Sequence, residues 1–177
     1  MNDEKCTIRE AGDADVPGLI KLYRAFLEES VWDTPDVTPN PSLNIEHVLS
    51  NLIAGPNSML LVAEIEGEVV AFACVHFRPG TDRPLGVRER LREFLTRKRR
   101  SAPVLFPDRG YLAHLFVAQP QRRRGIGTEL VRAAGDWVKR CGGRSLDLNV
   151  LAENDAARAL YRKLPMTEFL IHYRMKL

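Results

Sequence analysis

Residues 121–127, with the sequence QRRRGIG, combine three consecutive arginines with two glycines. The apolar residues 111–117 just before them predict a buried strand, and residues 128–141 just after them have helical spacing. A glycine-rich turn between a strand and a helix leaves backbone N–H groups without acceptors at the helix N-terminus. The helix dipole also favours an anion there. The run therefore predicts a phosphate-binding site.

Hydrophobic periodicity predicts the elements that surround this run. Strand patterns occupy residues 6–9, 58–65, 68–77, 111–117 and 144–150, and one or two further strands are expected in 167–177. Helical patterns occupy residues 16–29, 43–54, 128–141 and 155–164. Residues Glu66 and Gly67 form the kind of two-residue connection that closes a β-hairpin. This order predicts an α/β domain of the α+β type with one central sheet.

The length and composition set the class of protein. A chain of 177 residues that is 45% hydrophobic is long enough for one buried core, so residues 1–177 are expected to form a single domain. No apolar run approaches the roughly 18 residues that span a bilayer, and the N-terminus lacks a signal sequence, so we expect a cytoplasmic protein. Three widely spaced cysteines, Cys6, Cys74 and Cys141, predict buried free thiols and no metal site.

The positive charge of the chain is concentrated in residues 78–109. The net charge is +3, and this segment alone holds ten Arg or Lys against four Asp or Glu. Its apolar residues fall on one helix face, which predicts an amphipathic basic insertion. A solvated helix or a homodimer contact is favoured over attraction of an anionic acceptor or partner. The excess comes from one segment, and no zinc-finger spacing or aromatic RNA-binding strand accompanies it. Nucleic-acid binding is therefore not favoured.

Two motifs resemble those of a known family. Residues 117–127 match the acyl-CoA pyrophosphate loop of the GNAT superfamily of N-acetyltransferases, Arg/Gln-x-x-Gly-x-Gly/Ala. The later run from Asn154 to Tyr161, NDAARALY, resembles the family's second signature, Asn-x-x-Ala-x-x-x-Tyr. A nicotinamide dinucleotide site fits less well, because the full Gly-x-Gly-x-x-Gly pattern is missing.

The resemblance implies a sheet of six to seven strands, mixed but mostly antiparallel, that is splayed at the acyl-CoA site and flanked by about four helices. It implies that the chain transfers an acyl group, in the first place acetyl from acetyl-CoA, to a primary amine by direct attack in a ternary complex. The implied cofactor-binding residues are Leu115, Phe116, Val117, Arg122, Arg123, Arg124, Gly125, Ile126, Gly127, Thr128, Asn149, Asn154 and Tyr161. Glycine at 125 and 127 is expected to keep Cβ atoms out of the path of the phosphates.

The resemblance also implies the catalytic groups. Tyr161 stands at the family's general-acid position, although its ring could instead pack in the core. Many relatives use a glutamate on the strand before the loop as the base, whereas this strand offers only His114. Strand alternation predicts that His114 shares a face with Leu112 and Phe116, where a structural histidine is an equal alternative. Weaker candidates for the base are His76 and either Glu28 or Glu29, and relatives commonly rely on ordered water instead.

Two features depart from the family pattern. Pro165 and Met166 stand where the family commonly has Gly-Phe, and the basic insertion is unusually long. A covalent intermediate is not expected, because Cys74 and Cys141 follow apolar periodicities and no histidine stands next to them. The alternative to an enzyme is a non-catalytic acyl-CoA-binding regulatory module, which the missing strand glutamate supports. The acceptor is not encoded in either motif.

Overall fold

The computed structural model describes residues 6–32, 40, 42–80 and 107–170 of the chain. The strands are β1 (Thr7–Glu10), β2 (Ser58–Ile65), β3 (Glu68–Arg78), β4 (Arg109–Val117) and β5 (Ser145–Leu148). The helices are α1 (Val16–Trp32), α2 (Ile45–Ala54), α3 (Ile126–Arg140) and α4 (Asp155–Tyr161), with short 3-10 helices at Asp13–Asp15 and Gln119–Gln121. The predicted elements that fall within the described residues up to 164 are therefore confirmed, most of them within a few residues at each end.

The strands form one sheet in the order β1-β2-β3-β4-β5. Neighbours from β1 to β4 are antiparallel, while β4 and β5 are parallel, so the predicted mixed and mostly antiparallel sheet is confirmed. The described residues hold five strands rather than the six to seven predicted. Residues 165–170 belong to no strand, and the remainder of the predicted last strands, 171–177, lies outside the described residues.

Helices cover both faces of the sheet, and each face has its own core. On the face covered by α1 and α2, called here the α1/α2 face, the fully buried side chains include Leu19, Leu49 and Phe72. On the opposite face, the α3/α4 face, Leu130 and Val138 of α3 pack against the sheet. Burial of apolar side chains on two sides of a single sheet accounts for the layered architecture.

The two hairpins of the sheet are closed in different ways. Glu66 and Gly67 both have positive φ angles, 51° and 81°, as the predicted tight turn between β2 and β3 requires. The β3–β4 ladder ends at the pair Arg78 and Arg109, and the Gly80 N–H donates to the Asp108 carboxylate at 2.5 Å. The two ends of the intervening segment are thus held side by side. The predicted amphipathic helix itself lies outside the described residues.

Candidate active site

The sheet opens between β4 and β5. Parallel pairing joins the first residues of β4 to β5 and ends at Leu112 and Leu148, whereas β4 continues beside β3 as far as Val117. Residues 113–117 therefore have no pairing with β5 along their second edge. Asn149 is exposed and directly follows the last paired residue of β5. The predicted splay is confirmed, and it leaves main-chain groups of β4 open beside Asn149.

A β-bulge lies in the middle of β4. The register places Cys74 opposite His114 and Val75 opposite Leu112, so Ala113 is an extra residue on β4. As a result Leu112 packs in the core of the α3/α4 face, while Phe116 belongs to the core of the α1/α2 face. The prediction that His114 shares a face with both residues is wrong for Leu112, because the bulge interrupts the alternation between them.

The loop after β4 has the backbone of an anion-binding turn. Arg123 and Gly125 adopt left-handed φ angles of 66° and 84°, and Gly125 is the N-cap of α3. The first helical hydrogen bond runs from the Glu129 N–H to the Gly125 carbonyl at 3.1 Å. The N–H groups of residues 126–128 come before this bond and have no intrahelical acceptor. They are the main-chain donors available to an anion at this helix end.

The two glycines of the loop serve different purposes. A Cβ on Gly125 would have no atom within 4 Å, so the positive φ angle, and not a crowded neighbour within the protein, favours glycine there. A Cβ on Gly127, by contrast, would lie 2.8 Å from Leu160 Cδ1. Gly127 is buried and allows α3 to pack against α4. The prediction gave one reason for both glycines, and the structure supplies a different one for Gly127.

The three arginines of the loop have different surroundings. The Arg122 guanidinium donates from Nε to the Val117 carbonyl at 2.8 Å and from Nη2 to the Glu29 carboxylate at 2.5 Å. Arg124 donates to the side chain of Gln121. The side chains of Arg123 and Arg124 are exposed. The structure thus directs Arg122 towards α1, although all three arginines were predicted to meet the phosphates.

Helix α4 carries the candidate general acid. The Asn154 side chain caps this helix by accepting a hydrogen bond from the Ala157 N–H at 3.0 Å. Tyr161 is the last residue of α4 and packs, partly buried, against the core of the α3/α4 face. Burial raises the pKa of Tyr161 to about 12, so its phenol, like an ordinary one, is protonated at neutral pH, and it is a weaker acid than an ordinary phenol.

The candidate base lies in an aromatic environment. The His114 ring is 4.9 Å from the Phe26 ring and 5.6 Å from the Tyr23 ring, both on α1. Burial, and to a smaller extent His76, lowers the pKa of His114 to about 4, so the imidazole is neutral at pH 7. Its Nδ1 atom is buried and has no hydrogen-bond partner among the described residues. His114 packs against α1, whereas Tyr161 packs in the core of the opposite face.

The exposure of the cysteines differs from the prediction that all three are buried. Only Cys74 is buried, while Cys6 and Cys141 are exposed. Cys74 Sγ also lies 3.6 Å from His76 Nε2, so the statement that no histidine stands next to it is wrong. Strand alternation places Cys74 and His76 on the same face of β3, so the sequence did carry a signal for this contact. Burial raises the pKa of Cys74 to about 12, which keeps it a thiol and disfavours a nucleophilic role.

The described part of the chain contains neither a candidate membrane-spanning helix nor a candidate metal site. None of the helices within residues 6–32, 42–80 and 107–170 has the length and hydrophobicity of a bilayer span. In the same part of the chain, no three His, Cys, Asp or Glu side chains are grouped in a way that suits a metal ion.

A sheet that opens beside a glycine-rich helix start defines a domain of the N-acetyltransferase fold. The model of the acetyltransferase (GNAT) family matches residues 19–164, and the chain belongs to this family. The match spans the loop, α3, β5 and α4, which together surround the opening.

A curated relative agrees with this assignment. The chain is 39% identical over 70 residues to the uncharacterized N-acetyltransferase YobR of Bacillus subtilis strain 168, a match that covers 38% of this chain and 28% of that protein. The alignment thus spans less than a third of the relative's length.

Solved structures share the fold at low sequence identity. A tetramutant of BH1408 from Bacillus halodurans superposes with a TM-score of 0.75 at 23% identity, covering 97% of this chain and 99% of that one. The aminoglycoside N-acetyltransferase AAC(6')-Iy, in complex with CoA, gives a TM-score of 0.66 at 18% identity and covers 98% and 96%. At these identities the likeness concerns the fold alone.

Proposed function

We propose that this protein is an acyl-CoA-dependent N-acyltransferase that moves acetyl from acetyl-CoA to a primary amine by direct attack in a ternary complex. The observation that carries the proposal is the opening between β4 and β5 beside the unpaired N–H groups at the start of α3. One place in the molecule thus offers main-chain donors for a pyrophosphate and open strand edges for an extended arm. Membership of the GNAT family and the complex of a structural neighbour with CoA support this donor.

The donor would be held mainly by main-chain groups. The N–H groups of residues 123–128 would surround the pyrophosphate, and Arg123 and Arg124 would neutralise its charge. The open edge of β4 at Leu115, Phe116 and Val117 would hold the pantetheine arm, with Asn149 at the neighbouring end of β5. The Val117 carbonyl already accepts from Arg122, so Val117 would contribute through its N–H group. Gly125 suits this arrangement, because the space where its Cβ would stand is empty of protein atoms.

The chemistry joins two proton transfers to one acyl transfer. The neutral amine attacks the thioester carbonyl and forms a C–N bond, and a main-chain N–H of β4 would stabilise the oxyanion by about 3 kcal/mol. The C–S bond then breaks, and Tyr161, which is protonated at neutral pH, gives its proton to the departing thiolate. No enzyme nucleophile is needed, in keeping with the protonated thiol of Cys74.

The amine proton leaves on the side of His114. With a pKa of about 4 this imidazole is a weak base at neutral pH. Its Nδ1 has no partner among the described residues but is buried, so an amine or a water molecule would reach it only when the α1 side chains around the ring move apart. His114 would therefore act by orienting the proton path, and water would be the final acceptor.

The test is turnover of acetyl-CoA with a panel of primary amines that includes polyamines, aminoglycosides, amino acids and peptides with free N-termini or lysines. Release of free thiol is the readout, and we expect at least one amine to raise it well above the rate with water. Tight binding of CoA without turnover on any amine would contradict the proposal. It would favour the non-catalytic acyl-CoA-binding module instead.

A further inference from the structure

Arg122, the first arginine of the loop, makes three contacts that connect separate parts of the chain. Its Nε donates to the Val117 carbonyl at the end of β4, and its Nη2 donates to Glu29 on α1. Its guanidinium carbon lies 5.5 Å from the centre of the Phe116 ring. The planar fork of arginine allows these contacts at once, which a lysine ammonium on a single flexible stem would not reproduce.

Glu29 is part of a chain of contacts that reaches the aromatic surface of α1. Phe26 stands three residues before Glu29, hence on nearly the same side of the helix. The Phe26 ring is 6.2 Å from the Phe116 ring, which in turn lies under Arg122. Contacts thus run from Phe26 through Phe116 and Arg122 to Glu29, and they connect α1, β4 and the loop.

We propose that Glu29 is a positioning residue. It holds Arg122 against the end of β4 and so fixes the start of the loop, called here the loop entrance, in the conformation that binds CoA. This inference rests on the proposed function, because it assigns Glu29 a role at the donor site of that reaction. Arg122 then contributes the geometry of the loop, while the N–H groups of residues 123–128 and the two following arginines meet the phosphates. This role also removes Glu29 from the candidates for the general base, because the Arg122 guanidinium engages its carboxylate.

If Arg122 instead binds a phosphate, the effect of removing the Glu29 charge on CoA affinity should have the opposite sign. If Arg122 binds a phosphate directly, Glu29 competes with CoA for the same guanidinium, and removing its charge strengthens CoA binding. If Glu29 positions Arg122, removing its charge releases the loop entrance and weakens CoA binding. The pair is solvent-exposed, with 39% and 47% of the two side chains accessible, so the expected effect is the about two- to fivefold typical of exposed ion pairs.

The experiment measures the CoA dissociation constant by calorimetry for wild type, Glu29→Gln, Arg122→Lys and the control Glu28→Gln. Glu28 is exposed on the same helix, and its substitution removes the same charge one position away. We expect Glu29→Gln and Arg122→Lys to raise the dissociation constant about two- to fivefold. Glu28→Gln should leave it unchanged. Glu29→Gln and Arg122→Lys should lower the melting temperature without CoA only slightly, as expected for the loss of one exposed ion pair, which separates positioning from a general loss of stability.

Two results would overturn the inference. Tighter CoA binding by Glu29→Gln would show competition rather than positioning, and an affinity equal to that of Glu28→Gln would show that Glu29 has no role. In both cases the proposed function stands, because wild type still binds CoA. If wild type itself does not bind CoA, the proposed function and this inference fail together.

Discussion

On the α3/α4 side of the opening the candidate site consists mostly of main-chain groups, whereas on the α1/α2 side it consists of side chains packed from distant parts of the chain. The donors of the loop are N–H groups whose directions follow from a few φ angles within five residues. The surroundings of His114 come instead from α1 and β3, which are separated from it by 36 residues or more along the sequence.

This difference explains which half of the reaction the sequence reveals. Main-chain sites need glycines and a helix start at fixed spacing, so they leave a motif. A pocket built of side chains needs only that suitable residues meet in space. The donor is therefore encoded locally, while the acceptor depends on how α1 packs. The predictions below test this contrast, from the largest expected effect to the smallest.

Tyr161→Phe tests whether a side chain on the donor side takes part in catalysis. Loss of a general acid lowers kcat by about 10²- to 10⁴-fold, while CoA affinity should stay the same. Tyr111→Phe is the matched control, because Tyr111 lies on the closed part of β4, where its ring contacts Arg78. Unchanged turnover of Tyr161→Phe at every pH would remove it as the acid and leave the donor side with main-chain groups only.

His114 should make the fold sensitive to acid. Its folded pKa of about 4 lies below the ordinary value of 6.5, so above pH 6.5 both states are neutral and it has no effect on stability. As the pH falls below 6.5 the unfolded state gains the proton first, and stability decreases by about 1.4 kcal/mol per pH unit down to about pH 4.

Urea unfolding of wild type and His114→Asn between pH 4 and 7 measures this effect. Wild type should lose up to about 3 kcal/mol more stability than His114→Asn between pH 7 and pH 4, so the difference between the two proteins shrinks as the pH falls. Parallel stability curves for the two proteins would mean that His114 is accessible to water in the folded state. The aromatic packing of the α1/α2 side would then not control its protonation.

The two loop glycines separate binding from folding. Gly125→Val places a β-branched residue at a φ angle of 84°, which costs about 1–2 kcal/mol, and its side chain enters the space proposed for the phosphate. We expect CoA affinity to fall about tenfold or more, with Gly125→Asn, which tolerates this angle, closer to wild type.

Gly127→Ala is the complementary change. Its Cβ would press against Leu160, so the melting temperature should fall more than CoA affinity does. If both variants lose affinity and stability to the same extent, the distinct roles assigned to the two glycines are incorrect.

Asn154→Ala should give the smallest effect. Loss of the hydrogen bond from the Ala157 N–H costs about 1 kcal/mol of stability, measured by thermal unfolding. Asn154→Ser should restore most of this stability, because serine also caps helices. A drop in CoA affinity that serine does not restore would indicate that the amide also touches the cofactor arm.

Local patterns predicted most of the fold. The bounds of β2 are those predicted, and the positive φ angles of Glu66 and Gly67 match the predicted hairpin. The loop and the helix that follows it were also predicted, because both depend on residue types that are close together in the sequence. The predicted splay of the sheet came from the family resemblance and not from periodicity.

Features that depend on long-range contacts were not predicted. The bulge at Ala113 leaves no mark in the sequence of β4, yet it determines which face Leu112 occupies. The contact between Arg122 and Glu29 joins residues 93 positions apart. Apolar neighbours suggested buried thiols at Cys6 and Cys141, but these lie just outside β1 and α3, where the chain is exposed.

The measurement that tests the central claim most directly is a titration of the isotopically labelled protein with CoA, followed through its backbone amide resonances. Our account predicts the largest shifts for the N–H groups of residues 123–128, with further shifts along the open edge of β4 at residues 115–117. Residues on the far strand β1 should be nearly unaffected. Saturable CoA binding that leaves the resonances of residues 123–128 unchanged would contradict the assignment of this loop as the phosphate site.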